Sequence, residues 1–178
     1  MCTRSSAIRS LIFAMCLACS GMSVLAEAPP TASPSPLLDV FKRVVFDPTT
    51  YAPALVAYEA HHLDWSSSQV FFEHGYLEDN PEFTLSGLAH DVPVSYAAGN
   101  RQIAKTAFAT LGVSLFHNTA VAVLERAAIE RFPGHRHLVR VLGWTERIAF
   151  ASYLSYSQSA VHFRQWQRNG DLARQLGY

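Results

Sequence analysis

The chain has 178 residues, with 14 Lys and Arg against 14 Asp and Glu, eight His and a formal net charge of zero. It is 49% hydrophobic and only 16% charged, which excludes a disordered polyelectrolyte and a basic nucleic-acid binder. Its three cysteines, Cys2, Cys16 and Cys19, all lie near the start, so the rest can form no disulfide, thiol nucleophile or zinc–thiolate site.

Arg4 and Arg9 precede an uncharged apolar run over 11–26, which ends in Val24-Leu25-Ala26 before Glu27. A basic start, an apolar centre and a small-residue end predict a signal peptide over 1–26, cleaved after Ala26 and not lipidated. A lipoprotein signal ending at Cys19 competes, but Cys16 occupies a place where that motif has Leu. An uncleaved anchor helix is the third reading. Cleavage leaves 152 residues, 12 basic and 14 acidic, the size of a single domain. Residues 27–36 are rich in Pro, Ser and Ala and read as a linker before one helical domain over 37–178.

Residues 38–46 have the pattern of a short amphipathic helix. A turn over 47–53 follows, in which Thr49 or Thr50 can cap the next helix and Pro53 suits a first helical turn. That helix runs from about Pro53 to Glu73. From Gly75 to Gly99 no period survives, yet Phe83, Leu85, Leu88, Val92, Val94 and Tyr96 are too apolar for disorder. A packed loop is expected. A third helix runs from about Asn100 to Arg131 and stops at Phe132-Pro133-Gly134. A fourth runs from about His137 to Arg168 and stops at Asn169-Gly170. The fold class is all-α: an up-and-down bundle of three long helices plus one short leading helix, with a long irregular loop between the second and third.

No Lys, Arg, Asp or Glu occurs over 106–124 or over 148–163. The first stretch reaches the length of a membrane span, while the second is short and rich in Ser and Tyr. Between them stand Arg126, Arg131, Arg136, Arg140 and Arg147, whereas 75–99 contains no Lys or Arg. That bias is the mark of a cytoplasmic loop between spans. His117 and Asn118 oppose a span unless they face other helices. Membrane lipid is the expected partner, and the bacterial inner membrane, or else the periplasm, the expected location. No nucleic-acid partner and no cofactor is expected, and the sequence leaves any protein partner unknown.

Polar residues recur at helical spacing inside these apolar stretches. Gln102, Thr106, Thr110, Ser114 and Asn118 form one stripe; Ala151, Ser155 and Ser159 form another, with His162 beside it; Asp64 and Ser68 lie a turn apart, next to Ser67. Small and polar stripes let helices approach and hydrogen-bond across. The expected result is one internal polar network of Asp64, Ser68, Glu78, Asn80, Arg101, Asn118, Arg147 and His162, with Arg101 or Arg147 as the basic partner of Glu78. His61 with Asp64, and Glu59 with His62, are spaced for metal ligation on a helix face. A periplasm-facing metal enzyme using His61, His62, Asp64 and Glu78 is therefore the alternative. The other helices offer no second Glu-x-x-His pair, and no Gly-x-Ser-x-Gly elbow supports a hydrolase. A structural lock between helices, without catalysis, is the simpler reading.

The segment Asp64-Trp65-Ser66-Ser67-Ser68, followed by Gly75-x-x-Glu78-x-Asn80-Pro81, resembles the signature of small uncharacterised bacterial helical membrane proteins. In these a helical Asp with Ser or Thr at i+3 or i+4 precedes a Gly-x-x-Glu-x-Asn-Pro turn. The resemblance covers roughly 47–125, and more loosely the last helix through Trp166. It implies an envelope location and a membrane bundle of few helices, and no reaction.

Overall fold

In the computed structural model, residues 36–178 are described; the signal-peptide, lipobox and most of the linker expectations lie outside them. Four α-helices make up most of this part: α1 (Pro36–Val45), α2 (Pro48–Glu73), α3 (Tyr96–Arg131) and α4 (Arg136–Leu176). Among the described residues no strand forms, and the fold is all-α. The described residues 36–178 belong to one compact unit.

The start of α2 is set by Asp47, not by Thr49 or Thr50. Asp47 Oδ1 accepts from the Thr49 amide at 3.0 Å and from its hydroxyl at 2.7 Å, with Pro48 at the first helical position. Pro53 therefore falls inside the helix rather than in its first turn. Lacking an N–H, it leaves the Thr49 carbonyl without its helical donor. Ser114 of α3 fills the gap, its Oγ donating to Thr49 O at 3.0 Å. A defect in one helix thus becomes a cross-link to another.

Gly75, at φ +84°, ends α2 in the left-handed conformation. The segment to α3 packs only through Phe83 and Val94; Leu85, Leu88 and Val92, expected inside a packed loop, are exposed. Asn80 Oδ1 accepts from Glu82 N at 3.1 Å and caps a 3₁₀ turn at Pro81–Phe83. Two isolated antiparallel bridges, Glu78 with Asp91 and Thr84 with Pro93, tie its limbs together. Phe83 is buried, its ring 5.0 Å from that of Trp65. Ser95 then caps α3.

Each long helix touches the other two, and α1 rests on α3 through Val40, Val44 and Ala122. Asn118 of α3 meets Thr50 near the start of α2, while Trp65 further along α2 donates to the Tyr96 carbonyl at the start of α3. So α3 runs back along α2. The indole of Trp65 lies on bare backbone at Gly99, where an added Cβ would fall 2.2 Å from Trp65 Cε2.

The stop expected at Asn169-Gly170 does not occur: α4 continues to Leu176 and is capped by left-handed Gly177. The buried side chain of Asn169 is engaged by α2, which holds the backbone helical through a residue pair that locally favours a turn.

Candidate functional site

Three polar clusters occupy the helix contacts, where a single network was expected. The first joins α2 to α4. His162 Nδ1 donates to Asp64 Oδ2 at 2.8 Å. Asn169 Nδ2 donates to Ser67 Oγ at 3.0 Å and Ser68 Oγ at 2.9 Å, and both hydroxyls donate back to the Asp64 carbonyl. Gln165 Nε2 donates to Asn169 Oδ1 at 2.9 Å, so the amide is oriented from both sides. The ring of His61 lies over that of His162 with centroids 3.7 Å apart, and its Nδ1 donates to the Ala57 carbonyl.

The second cluster joins α3 to the start of α2. Asn118 Nδ2 donates to Thr49 Oγ1 at 3.0 Å and Thr50 Oγ1 at 2.8 Å, and Thr50 Oγ1 donates on to the Val44 carbonyl. Thr50, Ser114 and Asn118 are fully buried. With every donor paired, these groups cost little to bury.

The third cluster is ionic. Glu125 of α3, with its side chain only 3% exposed, accepts from Arg43 of α1 at 3.1 Å and from Arg147 of α4 at 3.0 Å. Arg147 Nε also lies 3.0 Å from Asp47 Oδ2, close enough for an ion pair but outside hydrogen-bond geometry. Gly143 gives Glu125 room, since a Cβ there would stand 2.8 Å from Glu125 Oε2. Nothing in the spacing of the sequence marks Glu125, Asp47 or Asn169 as partners of these groups. At the flank of this cluster His117 Nε2 pairs with Glu146 at 2.8 Å and stacks on Phe150.

The expected residues divide among these sites. Asp64, Ser68 and His162 meet in the first cluster, Asn118 belongs to the second and Arg147 to the third. Arg147 and His162 are about 22 Å apart along α4 at the helical rise. Arg147 does not reach Glu78, because Glu125 and Asp47 hold it. Arg101 is exposed and does not bond to Glu78 either. Glu78 instead folds back on its own turn, its Oε1 accepting from Asn80 N at 2.8 Å. Burial, with the nearby charge of Asp64, pushes the Glu78 carboxyl above its ordinary pKa, offset in part by the Asn80 amide.

Of the alternative metal ligands, His61 faces His162, whereas His62 stacks on Tyr58 of its own helix. Among the described residues no three His, Cys, Asp or Glu side chains gather in an arrangement that could hold a metal ion.

Outside the clusters the surface is unusually apolar. Among the described residues α3 is the one helix long and apolar enough to cross a membrane, and only 22% of its most apolar 18 residues are buried. Phe108 is 72% exposed, Phe116 78% and Leu124 68%. On α4, Tyr153, Tyr156 and Val161 are exposed as well. No protein-family model matches the chain, and no curated protein or solved structure is significantly similar to it.

Proposed function

We propose that the chain is a non-enzymatic helical protein of the bacterial cell envelope, an up-and-down bundle set in the inner membrane with its polar groups turned inward. On this reading it is akin to the small bacterial helical membrane proteins that its Asp64–Ser68 and Gly75–Pro81 segments resemble.

The exposure of α3 carries the reading. A soluble domain buries its most apolar helix, but α3 turns Phe108, Val113, Phe116, Val123 and Leu124 outward. Its polar stripe does the opposite: Thr110, Ser114 and Asn118 are buried against the other helices. Apolar residues outside and paired polar residues inside suit a lipid solvent, in which hydrogen-bonding groups must be satisfied within the protein. Glu59, exposed on α2, sets where lipid contact on that helix has to end.

Alkaline carbonate extraction of membranes from expressing cells tests this directly. The full-length chain is expected in the pellet. Its release into the supernatant would remove the membrane reading.

A further inference from the structure

We propose that α1 is an interfacial helix, which lays Phe41 and Phe46 against lipid where the hydrocarbon of the bilayer meets its headgroups. The proposal rests on the membrane reading above and adds a second, shallower lipid contact to it.

The ten residues of α1 reach about 15 Å at the helical rise, too short to cross a membrane. Its sequence nonetheless gives it apolar residues on two sides. Val40 and Val44, one turn apart, are buried against Ala122 of α3. Phe41 of the helix is 62% exposed, and Phe46, in the turn that follows, is 81% exposed. Lys42 is exposed between them. A helix that only supported α3 would need the first set of residues and not the second. Large apolar side chains flanked by a Lys are the composition by which a helix lies in the headgroup zone.

Contacts with α3 set the depth of α1. The charge-free stretch of α3, 106–124, spans about 28 Å at the helical rise, close to the hydrocarbon thickness of a bilayer. Val40 and Val44 meet α3 at Ala122, just inside that stretch, and Arg43 pairs with Glu125, the first residue beyond it. So α1 straddles the boundary. Arg43 is held by Glu125 and Asp39, which leaves the aromatic residues to face the surroundings. The exposed apolar band of α3 runs up to the same edge, because Val123 and Leu124 beside Ala122 are exposed. On α4 a Cβ at Gly143 would stand 2.8 Å from Glu125 Oε2, so the exposed Trp144 lies at this level too. Aromatic residues at the boundary are the usual anchors of a membrane protein.

The test uses the full-length chain, its native cysteines replaced by Ala, in phosphatidylcholine nanodiscs. One nitroxide at a time is placed at Phe41→Cys, Phe46→Cys, Phe116→Cys or Ser86→Cys. Collisions with oxygen, which concentrates in hydrocarbon, are compared with those of nickel–EDDA, which stays in water. Phe116 should report lipid and Ser86 water. The labels at Phe41 and Phe46 are expected to favour oxygen and to report a depth of about 5–10 Å, shallower than Phe116. Both positions are exposed, so the labels leave the Val40–Val44 contact in place, and either one alone decides the matter. Labels at Phe41 and Phe46 as open to nickel–EDDA as Ser86, with Phe116 still in lipid, would overturn the proposal and put α1 in water. Labels shielded from both reagents would overturn it in favour of a protein contact, with a second copy or another chain. Phe116 itself open to nickel–EDDA would defeat the membrane reading, and the lipid contact of α1 with it.

Discussion

His162 Nδ1 lies 2.8 Å from Asp64 Oδ2, and this one bond joins α4 to α2 across 98 positions of sequence. Both side chains are mostly buried, at 22% and 17% exposure, so the bond competes little with water. Asp64→Ala leaves His162 Nδ1 without its carboxylate acceptor, while the Asn169 amide keeps Ser67 and Ser68. It should cost about 1.5–3 kcal/mol, the usual worth of hydrogen bonds to a charged group. Asp64→Asn keeps an oxygen and should cost less. A double-mutant cycle with His162→Ala, read by thermal unfolding in matched detergent, isolates the pair; zero coupling would show that the lock does not exist.

Glu125 should be the costlier residue to change. Glu125→Ala strands Arg43 and Arg147 around a nearly buried site, and breaking a buried ion pair by removing one partner typically costs about 3–5 kcal/mol. Replacing Glu125 and Arg147 together by Met should recover part of the loss, because the two most buried charges go together, while Arg43 keeps Asp39 and Asp47 keeps its bonds to Thr49. Unfolding midpoints of the single and double variants decide between an ionic cluster that sets stability and one that is incidental.

The loop supplies a pH dependence of definite sign. The Glu78 carboxyl is raised above its ordinary value of 4.5 by burial and by Asp64, so the folded chain binds that proton more tightly than the unfolded one. Its stabilising contribution is complete below pH 4.5 and is lost as pH rises through the folded-state value. At neutral pH the ionised group is therefore a burden. Glu78→Gln keeps the acceptor for Asn80 N, and should raise the neutral-pH midpoint while leaving the acidic one nearly unchanged. A variant that lowers the midpoint at pH 7 contradicts this account.

At Gly99 the prediction is steric. A methyl group there collides with the Trp65 indole, and overpacking of this kind costs about 1–3 kcal/mol. Gly99→Ala should lower the unfolding midpoint, and Trp65→Phe should relieve part of the penalty when combined with it. Additive losses in the double variant would mean that the two residues do not press on each other.

For the proposed membrane bundle, the fold ties two chain segments to one end. Asp47 and Arg43 contact Arg147 and Glu125, so the entry to α2 and the arginine-rich α3–α4 turn lie at the same end. In the proposed membrane bundle the arginine bias would put that end in the cytoplasm, whereas cleavage after Ala26 would deliver it outside. The two sequence-based expectations are thus mutually exclusive. In a chain whose native cysteines are replaced by Ala, Gly134→Cys should resist a membrane-impermeant maleimide in intact cells, and Ser86→Cys should react. The reverse pattern would favour the cleaved signal peptide.

By itself the sequence determined the helical class, the capping turns at Gly75 and Phe132-Pro133, and the uncharged stretches of α3 and α4. These are local properties, set by periodicity, backbone freedom and composition over a few turns. Of the six apolar residues after Gly75 that suggest a packed loop, only Phe83 is buried and Val94 partly so, while Leu85, Leu88, Val92 and Tyr96 stay exposed. The tertiary structure alone decided the partners. Whether Arg147 meets Glu78 or Glu125 depends on how two helices are aligned over many turns, and a shift of one turn exchanges every contact along the seam. The same holds for Asn169, whose turn-forming preference yields to Ser67 and Ser68, and for Pro53, whose missing donor is supplied by Ser114 of another helix. Local propensities differ by fractions of a kcal/mol per residue, while a satisfied buried group outweighs them.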